Sequence, residues 1–67
     1  MYRNIVAEMA RNGYTRAFVA KKLKLSVATF RKKIAGKSDF KNSEIEKLLS
    51  LFGNNVSFEY LFEVYPA

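Results

Sequence analysis

The sequence predicts a small all-α domain, and three observations carry that prediction. Apolar residues recur at helical spacing in successive short stretches. Gly13, Gly36 and Gly53 punctuate those stretches. The sole proline, Pro66, lies one residue from the end, so no helix inside the chain is interrupted. With 67 residues there is room for a single domain, 1–67. A chain of that length buries only about 60% of the surface its unfolded form exposes, so it gains from a partner. Short helices joined by short turns around one apolar core make a small bundle.

The elements follow in order. Ile5, Val6 and Met9 lie on one helical face, and Gly13 closes that helix as a C-terminal cap. Thr15 caps the next helix, whose apolar face is Val19, Ala20 and Leu23. Ser26 caps a third, Val27 to Ala35, with Phe30 and Ile34 one turn apart and Gly36 at its end. Ser43 with Glu46 reads as a capping box for a fourth helix. Ile45, Leu48, Leu49 and Phe52 then fall at i, i+3, i+4 and i+7, the strongest stripe in the chain. Ser57 caps a final element. Residues 56–65 fit a helix through Phe58, Leu61, Phe62 and Tyr65, and a strand through Val56, Phe58, Tyr60, Phe62 and Val64. Phe30, Phe40, Phe52, Phe58 and Phe62 are expected in the core, because a domain this small needs large side chains to build one.

Composition excludes much chemistry. There is no His and no Cys, which removes disulfides, Cys/His metal sites and Ser-His-Asp or Cys-His catalysis. No catalytic residue, metal, cofactor or small-molecule substrate is therefore expected. No apolar run approaches the roughly 20 residues of a membrane span. Met1-Tyr2-Arg3-Asn4 opens no secretory signal. A cytoplasmic module is the expectation.

The net charge of +6 is unevenly placed. Residues 15–37 hold Arg16, Lys21, Lys22, Lys24, Arg31, Lys32, Lys33 and Lys37 and no acidic residue. Such a run repels itself, and an external polyanion relieves it. Nucleic acid is the commonest polyanion, since neutralised phosphates release counterions.

That basic run coincides with a helix-turn-helix layout over 15–36. Ala20 is the small residue on the first helix where a second can pack closely. Leu25 plugs the turn. Phe30 and Ile34 form one narrow buried stripe. Val27, Ala28, Arg31 and Lys32 lie off that stripe, free for a major groove.

Gly13-Tyr14-Thr15-Arg16, Val19-Ala20-Lys21-Lys22-Leu23, Leu25-Ser26-Val27-Ala28-Thr29-Phe30 and Ile34-Ala35-Gly36-Lys37 together resemble the helix-turn-helix of the phage repressor/Cro-like (XRE-type) family. Ile34-Ala35-Gly36-Lys37-Ser38-Asp39-Phe40 followed by Ser43-Glu44-Ile45 resembles small regulators of temperate phages, and Ser57-Phe58-Glu59-Tyr60-Leu61-Phe62 resembles the family's last helix. The resemblance implies a five-helix lambda-repressor-like domain in a bacterial cytoplasm. It further implies a transcriptional regulator, repressor or Cro-like, usually dimeric on a double-stranded DNA operator. Two departures from the family stand out. Lys24 stands where the turn often has Gly, at a cost on the order of 1 kcal/mol. Val27 and Ala28 stand where hydrogen-bonding side chains often read bases, which leaves them only thymine methyls.

The roles expected are these. Ser26, Val27, Ala28 and Thr29 begin the recognition helix and meet the groove first. Arg31 and Lys32 reach a guanine edge or a phosphate. Arg16 clamps a phosphate beside that helix, and Lys37 and Lys41 hold phosphate from the following loop, with help from helix N–H groups. Lys33 covers apolar surface with its stem. Phe18 falls beside the buried face of its helix, and an exposed Phe there suggests a protein contact. Phe62, Val64 and Tyr65 are expected at a protein interface, either a homodimer pairing two recognition helices or a contact with a partner repressor. The second case is a different function, a small antirepressor or modulator of the same fold.

Overall fold

A computed structural model of the chain describes residues 1–53 and 56–64. Five helices follow one another: α1 (Arg3–Asn12), α2 (Arg16–Lys22), α3 (Val27–Ile34), α4 (Asn42–Phe52) and α5 (Phe58–Leu61). There is no strand among the described residues, and within the ambiguous 56–65 the stretch Phe58–Leu61 is a short helix. Ser57 explains where it starts: its hydroxyl accepts from the Tyr60 N–H. Tyr65, expected at an interface, lies outside the described residues.

The caps at α2 and α3 form as expected. Thr15 Oγ1 accepts from the Phe18 N–H at 3.0 Å, and Ser26 Oγ from the Thr29 N–H at 3.1 Å. The capping box at α4 does not. The helix begins at Asn42, so Ser43 is already inside it. Glu44, not Glu46, turns back, and its carboxylate accepts from the Lys41 N–H at 2.8 Å. Glu44 wins because its carboxylate is also held from α3 by Lys33, whereas Glu46 is exposed.

The first three helices end in one hydrogen-bond pattern, each in a left-handed residue. The Tyr14 N–H reaches back to the Met9 carbonyl, the Leu25 N–H to Ala20, and the Lys37 N–H to Lys32. The paired shorter bonds are Gly13 to Ala10, Lys24 to Lys21 and Gly36 to Lys33. This double closure satisfies carbonyls that the helix end would otherwise orphan. Gly13 and Gly36 take the left-handed conformation without a Cβ clash. Lys24 takes it too, at φ 60°, and is the sole non-glycine residue among those described to do so. The turn geometry therefore overrides the local preference of lysine.

Ile5, Met9, Val19, Ala20, Leu23, Phe30, Ile34, Leu48, Phe52 and Leu61 make one buried cluster. Every helix contributes, and α3 supplies Phe30 and Ile34 alone of its apolar residues. Ala20 is buried, which lets α2 and α3 pack together. Tyr2, Phe40 and Phe62 close one side with rings 5.3–5.9 Å apart in tilted and edge-to-face pairs. Phe58 was expected in the core and is instead 49% exposed. A four-residue helix buries one side, and Leu61 occupies it. Polar ties join the ends of the chain. The Tyr2 N–H donates to the Ile34 carbonyl, Asn4 Nδ2 donates to the Tyr60 carbonyl at 2.7 Å, and the Tyr60 hydroxyl donates to Glu8 at 2.9 Å.

Two stability measurements check this architecture. Lys24→Gly removes the left-handed penalty and returns part of the gain as unfolded-chain entropy, so it is expected to raise stability by about 0.5–1 kcal/mol in urea unfolding. Ile34→Ala and Leu48→Ala each empty a buried site and are expected to cost about 2–5 kcal/mol, a large share of what so small a domain has. An Ile34→Ala variant that melts like wild type would place Ile34 on the surface.

Candidate nucleic-acid interface

The α3 helix sorts its residues by face. Phe30, Lys33 and Ile34 are buried, while Val27, Ala28, Arg31 and Lys32 are exposed. At 3.6 residues per turn the four exposed side chains span an arc of about 140°. The N-terminus of the helix carries Ser26 and Thr29, whose hydroxyls are bonded to each other at 2.9 Å. The Ser26 hydroxyl acts as both cap acceptor and donor to Thr29, so its proton is already committed. Val27 is 37% exposed and Ala28 is exposed beside it, leaving an apolar opening turn.

Exposed basic residues lie on that face and on the elements before and after it. Arg16 is the first residue of α2, and it lines the same two shallow recesses as Arg31. One of these is completed by Met1, Ile34 and Ala35, the other by residues of α1 together with Tyr14 and Thr15. The fold thus brings together two arginines fifteen positions apart, one on each of two helices. Lys37 follows α3 directly, and Lys41 precedes α4; both are exposed. Of the eight basic residues in 15–37, all but Lys33 are exposed.

Two expectations need correction here. Lys33 is not a surface lysine with a buried stem. Its ammonium itself is buried, 2.7 Å from Glu44 Oε1 and 5.9 Å from the Phe40 ring centre. It contributes no free charge to the basic face. The second concerns the start of α4, where N–H groups were expected to help bind phosphate. The Lys41 N–H is taken by the chain's own Glu44 carboxylate, which withdraws that N–H from an anion and sets a negative charge at the start of α4.

The interface residues divide. Phe18 is 39% exposed, with its ring 4.9 Å from Tyr14 and the Lys22 ammonium 5.4 Å from its centre. Val64 is 65% exposed. Phe62 is half-buried among Tyr2, Phe40 and Phe58 and serves the core more than any outer face. Phe58, not expected on the surface, takes its place there. The signal lay in Ser57: as cap, it sets Phe58 at the first position of a helix too short to bury two faces. The Lys33–Glu44 pair had no comparable signal, because eleven residues and a loop separate its partners.

Among the described residues no cluster of His, Cys, Asp or Glu is arranged to hold a metal ion. No helix among them is long and apolar enough to cross a membrane.

Burial works to raise the pKa of Glu44. The Lys33 hydrogen bond, the Lys41 N–H and the charges of both lysines outweigh it, and the carboxyl sits below its ordinary value of 4.5. A lowered carboxyl stabilises the fold above the ordinary value and loses that contribution as pH falls through the lowered one. At neutral pH, Glu44→Gln is therefore expected to be less stable than wild type, and the difference is expected to vanish on acidification well below 4.5. Parallel pH series of thermal unfolding, followed by circular dichroism, measure this. A constant difference down to full acid unfolding would show that the charge on Glu44 is not what holds the pair.

Comparisons with protein-family models, curated proteins and solved structures return no match for this chain. What the site can do therefore follows from its own side chains.

Proposed function

We propose that this protein binds duplex DNA through α3, as a transcriptional regulator of repressor or Cro type. In this reading α2, the Lys24 turn and α3 are a helix-turn-helix, and the domain is lambda-repressor-like. The observation that carries the reading is the single exposed face of α3, which presents Arg31 and Lys32, shares two recesses with Arg16 and is followed along the chain by exposed Lys37 and Lys41, with its opposite face in the core. A helix held by its rear stripe, with its front open and its flanks basic, suits a major groove about 12 Å wide. Arg16 and Arg31, on the same recesses, suit a phosphate beside the groove. Lys32, further along the exposed arc, suits a guanine edge or the next phosphate. Val27 and Ala28 offer contact to thymine methyls and no hydrogen bond. Most of the affinity then comes from phosphates and falls steeply with salt. The resemblance to small temperate-phage regulators supports a place in a lysogeny-lysis switch.

A second function is favoured by a specific observation. The groove-facing start of α3 is apolar, and Phe18 and Phe58 are exposed away from it. An antirepressor of the same fold would act through such side chains on a partner repressor.

Gel-shift titrations with duplex DNA over a salt series test the first reading and separate it from the second. Wild type alone is expected to shift DNA, with log affinity falling linearly against log salt. Arg31→Ala with Lys32→Ala is expected to cost about 1–3 kcal/mol if one of them reads a base in bidentate fashion, and less, with a shallower salt slope, if both touch phosphate. Unchanged binding in the double variant would reject α3 as the reading helix. No shift by the protein alone, with loss of another repressor's complex on its addition, would select the antirepressor.

A further inference from the structure

Two exposed aromatic patches stand apart from the α3 face, and their charges are opposite. The first is centred on Phe18, lining a shallow pocket with Lys21, Lys22 and Lys24. It is preorganised: Phe18 lies against Tyr14, Tyr14 stacks on Phe52 at 6.2 Å, and the Tyr14 hydroxyl donates to the Leu51 carbonyl. Rings held this way lose little freedom when a partner arrives. The second is a groove lined by Tyr2, Asp39, Phe40, Ile45, Phe58 and Phe62. Phe58 is its exposed ring, stacked on Phe62 at 5.1 Å. Glu59 follows Phe58 on α5 and is exposed, as are Glu63 and Val64 just beyond.

The patches sit toward opposite ends of α4. Phe52, at its C-terminal end, supports the Tyr14–Phe18 stack, and Ile45, near its start, lines the Phe58 groove. Seven helical residues separate them by roughly 10 Å along the axis. The patches share no lining residue, so a second copy can seat one patch on the other.

The charges decide how. A symmetric dimer sets a patch against itself. Through the first patch, Lys21, Lys22 and Lys24 would meet the same lysines; through the second, Asp39 and Glu59 would meet the same acids. Both arrangements place like charges together, which opposes association. Setting the first patch on the second pairs lysines with carboxylates and Phe18 with Phe58. We propose that this protein self-associates head to tail, with the basic patch around Phe18 of one copy seated on the acidic groove around Phe58 of the next. The interface is heterologous, so it extends into short chains unless the rotation closes a ring. The proposal stands apart from the DNA reading, and its test contains no DNA.

Sedimentation velocity of the full chain over a concentration series, at one moderate salt, tests it. Lys22→Glu disables the basic patch and Glu59→Lys the acidic one; both positions are exposed, so the core is untouched. Phe18→Ala removes the apolar anchor without changing charge. Wild type is expected to grow past dimer as concentration rises. Each variant alone is expected to lose at least about tenfold in association constant, equivalent to about 1.4 kcal/mol. An equal mixture of Phe18→Ala and Glu59→Lys keeps one intact pair of patches, so it is expected to form pairs that stop at one to one. A wild type that stays monomeric throughout would overturn the proposal and leave these patches to a foreign partner. A single variant that dimerises as well as wild type, or a mixture no different from its components, would overturn the head-to-tail arrangement.

Discussion

The left-handed turn at Lys24 sets the relation between α2 and α3, and the proposed reading surface depends on that relation. At φ 60° the chain reverses tightly enough for the Leu25 N–H to return to the Ala20 carbonyl at 2.9 Å. Leu25 then folds against the core, and Ser26 is placed to cap α3. Phe30 and Ile34 fall inward only because α3 leaves the turn at that angle. Val27, Ala28, Arg31 and Lys32 fall outward for the same reason. A lysine bears a steric cost on the order of 1 kcal/mol in that conformation. The buried contacts of Ala20, Phe30 and Leu25 on either side outweigh it, which is how tertiary packing overrides a local preference.

A second constraint fixes α3 from behind. Lys33 Nζ and Glu44 Oε1 are 2.7 Å apart, both side chains buried, and the same carboxylate oxygen takes the Lys41 N–H. One acidic group thus ties α3 to the beginning of α4 and sets the loop between them, which carries Lys37 and Lys41. Buried pairs of this kind add little net stability, because desolvation offsets much of the attraction. Their geometry is demanding, however, and a slip of α3 along its axis would leave two uncompensated charges. The pair thus resists any change of register, because breaking it strands a buried charge. It also moves one positive charge from the basic face into the interior, so that face is less crowded than the sequence suggests.

Charge is segregated in space as well as along the chain. The α2–α3 unit is basic, while the groove beside α5 is lined by Asp39, with Glu59 exposed next to Phe58. In the proposed reading a polyanion is drawn to the first and repelled by the second. The same asymmetry disfavours symmetric pairing through either aromatic patch and favours pairing between them. Binding of DNA and association of copies would then draw on one feature, the separation of like from unlike charge across a body only 27 × 27 × 22 Å in extent.

The sequence by itself determined what depends on near neighbours. Thr15, Ser26 and Ser57 as caps, Gly13 and Gly36 as left-handed ends, the core stripes of α1 to α4 and the outward set on α3 were all legible, because caps and periodicity act within one or two turns. Lys24 as the strained turn residue was legible only through the resemblance to a family whose turn often has Gly there. Tertiary structure decided what depends on distant partners. Whether Phe58–Leu61 became helix or strand, which glutamate closed α4, that Lys33 lay buried, and that Arg16 and Arg31 shared a recess each turned on groups many residues away. Local pattern states which faces are apolar and which charged. Only the packed bundle states which of them meet, because burial is shared among helices and a charge is cheap or costly according to what stands opposite it.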